Sequence, residues 1–156
     1  MLTLPPEQNF FKMKQIFFAW LLLLAAQVSA QCPQTGDSSA FRAHIYNKEY
    51  DVSMHINFND ADIIVPQMEL IGDLPGYLTN GHPVFCWLIT YAELRDDHTA
   101  DIVLVNESGS EDLTATLTCD NDSIYTLNQL KGSNLKVLKG KKWQKLPSTM
   151  VFIRKK

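Results

Sequence analysis

The chain has 156 residues, with fourteen Lys and Arg against seventeen Asp and Glu and a formal net charge of −3. With 46% of residues in the AVILMFWYC set it is too apolar for a disordered chain, and its length suits one core. The slightly acidic balance excludes a uniformly basic nucleic-acid binder, and three cysteines are too few for a disulfide-built scaffold.

Lys12 and Lys14 precede an unbroken apolar run over residues 16–26, which leads into the small-residue ending Val28-Ser29-Ala30. This pattern describes a secretory signal peptide over residues 1–30, with translation alternatively opening at Met13. The run falls short of the ~20 apolar residues a bilayer span needs, so no membrane span is expected in the mature chain. Bacterial lipoprotein signals place a small residue before the lipidated cysteine. Gln31 stands before Cys32 here, which favours a soluble exported protein, periplasmic or extracellular, over a lipid-anchored one. Residues 31–40, with Pro33, Gly36 and Asp37, read as a flexible lead-in to a single all-β domain over 41–156.

Alternation starts at once. Phe41, Ala43 and Ile45 share one side, and Tyr50, Val52, Met54, Ile56 and Phe58 continue it beyond Asn47-Lys48. A two-residue loop at Asn47-Lys48 would pair Ile45 with Tyr50 and set His44 opposite Asp51 on the polar face. A short strand is expected over 63–65, ending at Pro66, and Pro75-Gly76 carries the composition of a type II turn. The loop around it, 72–78, reads either as a recognition element presenting Tyr77 or as a corner that lets the sheet bend.

Four consecutive strands are expected over 84–94, 100–106, 113–119 and 124–130, separated by short polar breaks. In the first, Phe85, Trp87, Ile89 and Tyr91 form an aromatic face; Cys86, Leu88, Thr90 and Ala92 lie opposite, so both sides should be covered. Leu113, Ala115 and Leu117 alternate with three threonines, as expected for one wet face. Leu135 and Val137 repeat the pattern, residues 139–142 turn the chain, and strands over 143–146 and 149–154 complete it.

Some nine strands with local connections and no helical periodicity predict an antiparallel meander, closed into a barrel or folded as a β-sandwich. In general shape this is similar to lipocalin-like barrels.

Charge is polarised along the chain. Residues 31–122 carry sixteen acidic and three basic groups, and residues 123–156 carry nine basic and no acidic ones. Either the last strands neutralise acidic neighbours, the preferred reading, or they present a basic contact surface around Lys136, Lys139, Lys141, Lys142, Trp143 and Lys145. For the cysteines, the meander register sets Cys119 level with Thr99 and hence near Arg95, some nine residues or ~30 Å from Cys86. A bridge between these two is therefore disfavoured.

Chemistry is sparse. The expected His44–Asp51 pair could act as a general base, but no nucleophile motif accompanies it. Asn57, Asn59, Asp60 and Asp62 lack the spacing of a calcium loop, and Glu93, Asp96, Asp97 and Asp101 read as a solvated hairpin tip. No metal-ligand spacing and no cofactor motif occurs. Asn106-Glu107-Ser108 and Asn121-Asp122-Ser123 are sequons. The expectation is an exported, non-catalytic barrel whose mouth binds a ligand through Tyr77, Phe85, Trp87 and Tyr91. The alternative is a protein-interaction module, such as an inhibitor or immunity-type factor, working through loops and the basic hairpin; nucleic acid is not expected.

Overall fold

The computed structural model describes residues 39–82 and 84–156. The expected signal peptide, most of the lead-in and Cys32 lie outside the described residues. Among the described residues twelve strands form: β1 (Arg42–Asn47), β2 (Val52–Asn57), β3 (Ile63–Ile64), β4 (Asp73–Leu74), β5 (Gly76–Thr79) and β6 (Cys86–Asp96) in the first part. The second contributes β7 (Thr99–Asn106), β8 (Asp112–Asp120), β9 (Ile124–Gly132), β10 (Lys136–Lys139), β11 (Lys142–Lys145) and β12 (Thr149–Arg154). Eight of them close a barrel in the order β1-β12-β9-β8-β7-β6-β5-β2. Each barrel strand pairs antiparallel with the next in sequence, and β12 closes onto β1. The meander is thus a closed barrel and not a sandwich, and closure leaves it without a free edge. A strap carrying β3 and β4 is inserted between β2 and β5, and the β10–β11 hairpin between β9 and β12.

Side-chain alternation decides what the wall turns inward. On β7 and β8, Ala100, Ile102, Leu104, Leu113, Ala115 and Leu117 are buried, whereas Thr114, Thr116 and Thr118 point out. The interior is filled with side chains, among them the fully buried Phe41, Ile45, Met54, Leu78, Tyr125 and Phe152. An eight-stranded barrel is just wide enough for such packing. Ala40 also belongs to this core, so the folded domain begins inside the stretch expected to be a flexible lead-in.

The first hairpin keeps the expected faces but not the expected register. Ile45 pairs with Met54 and Asn47 with Val52, so the loop is Lys48–Asp51 and Asn47 is a strand residue. The Asn47 side chain causes this: its Oδ1 accepts the Tyr50 N–H at 2.9 Å, and its Nδ2 donates to the Val151 carbonyl at 2.8 Å. Asp51 closes the loop at φ 55°. A four-residue shift preserves parity, which is why the hydrophobic pattern could not reveal it.

A bulge reverses the outer half of β6. Ile89 pairs with Leu104 but Tyr91 with Val103, which leaves Thr90 as the extra residue. Trp87 and Ile89 therefore point into the barrel, while Tyr91 points out. The first half of β6 is covered on both sides, because Cys86 and Leu88 pack with Val65 and Tyr77 beneath the strap.

Pro75-Gly76 is not a type II turn. Gly76 lacks positive φ and lies in β5, paired with Ile56 and Ile89. Glycine is needed there because a Cβ would sit 2.2 Å from the His55 carbonyl oxygen. Gly76→Ala is therefore expected to destabilise the barrel by about 2 kcal/mol, through forced separation of β2 and β5. Urea unfolding midpoints of the two proteins measure it.

Candidate interaction surface at the hairpin end

The connections β5–β6 and β7–β8 and the β10–β11 hairpin lie at one end of the barrel; β6–β7 and β8–β9 turn at the other. The four aromatic residues expected to line a common mouth are dispersed. Trp87 is in the core, and its Nε1–H donates to the Lys136 carbonyl at 2.9 Å. Tyr77 lies outside the wall, stacked on His55 at 4.8 Å between ring centroids. Tyr91 is exposed, and its hydroxyl donates to Glu93. Phe85 stays at the hairpin end, edge-on to Trp143 at 5.2 Å.

The hairpin gathers the basic residues the sequence singled out. Lys136 faces Lys145, Leu138 faces Trp143 and Lys139 faces Lys142, with Gly140 at φ 65° in the turn. Leu135, Val137 and Leu146 join the barrel core, and Asn80 donates to the Leu138 carbonyl at 2.6 Å. The hairpin is thereby held as a rigid cap on the barrel. Lys136 bonds Glu111 at 2.8 Å and lies 5.4 Å from the Trp143 ring centroid. Lys139, Lys141, Lys142 and Lys145 are exposed and make no ion pair among the described residues. The preferred reading, in which acidic neighbours neutralise the basic strands, therefore holds for Lys136 and not for these four.

Trp143 is 48% exposed, and Val84 beside Phe85 is 50% exposed. A cleft of about 220 Å³ separates Phe85, Lys136 and Trp143 from Glu107 and Ser108 in the β7–β8 loop. Asn106 holds that loop, since its Oδ1 accepts the Ser110 and Glu111 N–H groups at 2.9 and 3.2 Å. Its Nδ2 donates to Ser110 Oγ at 3.1 Å, so the first sequon's amide is committed to the loop. Asn121 of the second sequon is exposed in the β8–β9 turn.

His44 and Asp51 are not partners. Asp51 accepts from the Tyr46 hydroxyl at 2.7 Å, and His44 stands opposite His55 with ring centroids 3.8 Å apart. With Tyr77 they form a three-ring stack on the outer wall, beside a groove of about 330 Å³ that includes Arg42 and Asp62. Burial, then the neighbouring His44 and Lys155 charges, push His55 down to about 4; burial followed by Lys155 lowers His44. Above the ordinary value near 6.5 both folded and unfolded His55 are neutral. As the pH falls from 6.5 to 4 the unfolded chain takes up the proton first, so stability is lost across that window and levels off below it. The expected loss is about 1 kcal/mol, discounted because the ring keeps part of its solvation. Urea midpoints recorded from pH 7 to 4 should show it, and His55→Gln should flatten the profile.

Burial, then the neighbouring Glu107 charge, push the Cys86 thiol up to about 11, which keeps it protonated at neutral pH. Cys86 and Cys119 are both free and buried. Cys119 lies at the β6–β7 end, its N–H donating to the His98 carbonyl, and Cys86 starts β6 at the other. The loop first read against a calcium site is closed on itself: the Asn57 amide donates to Asp60 at 3.1 Å and to Asp62 at 2.6 Å, and Arg42 pairs with Asp60. Among the described residues no group of three His, Cys, Asp or Glu side chains is placed to hold a metal, and no helix is long and apolar enough to cross a membrane.

Fold and surface together define a closed eight-stranded antiparallel barrel with a filled interior and a basic, aromatic cap. No known protein family matches the chain, and neither a curated protein nor a solved structure does.

Proposed function

We propose that this protein is an exported, non-catalytic β-barrel that binds a partner through its exterior, with the β10–β11 cap as the contact surface. The observation that carries this reading is the occupied interior: Trp87, expected to line a ligand cavity, is a core residue at 3% exposure. Recognition then falls to the outside, where the cap carries a half-exposed tryptophan and four exposed lysines without an ion pair among the described residues. Export rests on the leader-like residues 1–30. The non-catalytic reading is supported by the separation of His44 from Asp51 and by the raised Cys86 pKa.

Comparative co-purification from the native host tests it. A partner held by the natural chain should be lost from a Lys139→Glu, Lys141→Glu, Lys142→Glu, Lys145→Glu variant and should be released as salt is raised. Equal retention by both proteins, insensitive to salt, would remove the cap from consideration.

A further inference from the structure

We propose that the β10–β11 cap seats on an anionic lipid bilayer surface, with Trp143 at headgroup depth and Lys139, Lys141, Lys142 and Lys145 against the phosphates. This rests on the reading of the cap as the contact surface and names what it contacts.

The chemistry of the cations comes first. Every basic residue of the hairpin is lysine, and the one arginine after Ser123, Arg154, is engaged with Tyr125 and the Ala40 carbonyl. Lysine is a point charge on a flexible stem, suited to a diffuse negative surface. Arginine, with its planar fork, is the usual choice where individual carboxylates or phosphates are read. A protein partner bound through ion pairs would favour the fork, whereas a bilayer needs only density of charge near the surface.

The apolar groups fit the same partner. Trp143 is half exposed and leans on Phe85, whose chain neighbour Val84 is also exposed. A half-exposed indole is the side chain enriched at the membrane–water boundary. Single-stranded nucleic acid would call for a groove with successive aromatic platforms, and among the described residues the cap carries one exposed indole, on β11. Lys136 pairs with Glu111, and the remaining carboxylates at this end, Glu49, Asp51, Glu107 and Asp112, are outnumbered by Lys48, Lys131 and the four hairpin lysines.

Long-range orientation follows from the fold. At the opposite end of the barrel Arg42 and Arg95 are paired with Asp60 and Asp101, and Asp62, Asp96, Asp97, Asp120 and Asp122 outnumber Arg154, Lys155 and Lys156. The field along the barrel axis turns the cap toward a negative surface and the aspartates away from it.

The test uses the chain as exported and processed by an expressing cell, mixed with vesicles of phosphatidylcholine or of phosphatidylcholine with phosphatidylglycerol. Co-sedimentation is expected with the mixed vesicles alone and should weaken as salt is raised. Tryptophan emission should shift to the blue on binding, and Trp143→Phe should abolish the shift, because Trp87 is already buried. Reversing the four lysines should lower the affinity at least a hundredfold, at roughly fivefold for each lysine lost from the surface. Lys141→Glu with Lys142→Glu, both in or beside the turn, provides a milder variant should the fourfold change impair folding.

Equal binding to both vesicle types, binding unaffected by charge reversal, or no binding to either would overturn the bilayer. If vesicles fail while a protein or oligonucleotide is bound through the same lysines, the cap remains the contact surface and only its partner changes. If no lysine-dependent binding of any kind is found, the proposed function falls as well.

Discussion

Trp87→Ala is expected to remove about 4 kcal/mol of stability, a large fraction of what a domain of this size possesses. Trp87 is 3% exposed among the interior side chains of the barrel, so truncation leaves a void that the surrounding strands cannot close. It also removes the Nε1–H donor that the Lys136 carbonyl accepts, and with it a bond between barrel and cap. Trp87→Phe separates the two contributions: the ring volume is largely kept and the donor lost, for about 1–2 kcal/mol. Urea unfolding of the three proteins measures both steps. A hollow ligand-binding barrel would behave in the opposite way. There a wall tryptophan could be truncated at small cost in stability and large cost in affinity, so the stability result also tests the filled interior.

The fold was legible in the sequence because barrel strands repeat one rule. Leu113, Ala115 and Leu117 face inward and the threonines between them outward, and that period of two needs no tertiary knowledge to read. The strands expected over 100–106 and 113–119 fall within one residue at either end of β7 and β8. What misled was local and polar. The Asn47 side chain holds a four-residue loop by accepting from Tyr50, which no hydrophobic pattern registers. His44 consequently meets His55 and not Asp51. The bulge at Thr90 inverts the faces of Tyr91 to Leu94, up to a second register shift before Asp96, so Tyr91 left the predicted lining while Trp87 stayed inside.

The basic hairpin was readable as composition, and its turn fell where Gly140 stands. Its anchoring was not, because Trp87, Asn80 and Glu111 reach it from 25 to 58 residues away. The histidine–tyrosine stack was missed for the same reason: Tyr77 belongs to β5, which reaches β2 only after the strap has been inserted between them.

The far end of the barrel offers the second large effect, with Tyr125→Ala expected to cost about 4 kcal/mol. Tyr125 is fully buried, and its hydroxyl donates to the Ala40 carbonyl. Arg154 Nη2 donates to the same hydroxyl at 2.6 Å and to that carbonyl at 2.9 Å. One tyrosine thus ties the start of the folded domain to its last strand, at the seam where β12 closes the barrel onto β1. Truncation to alanine empties the ring's volume and leaves the Ala40 carbonyl and part of the guanidinium to share one bond. Tyr125→Phe keeps the ring and deletes only the hydroxyl, so its cost should be near 1–2 kcal/mol. If ring packing dominates, the phenylalanine protein will unfold close to the natural one and the alanine protein far below it. If both variants fall equally, the network around the hydroxyl is what secures the seam. The seam lies away from the cap, so Tyr125→Phe should leave vesicle binding unchanged, which separates the closure of the barrel from the surface it presents.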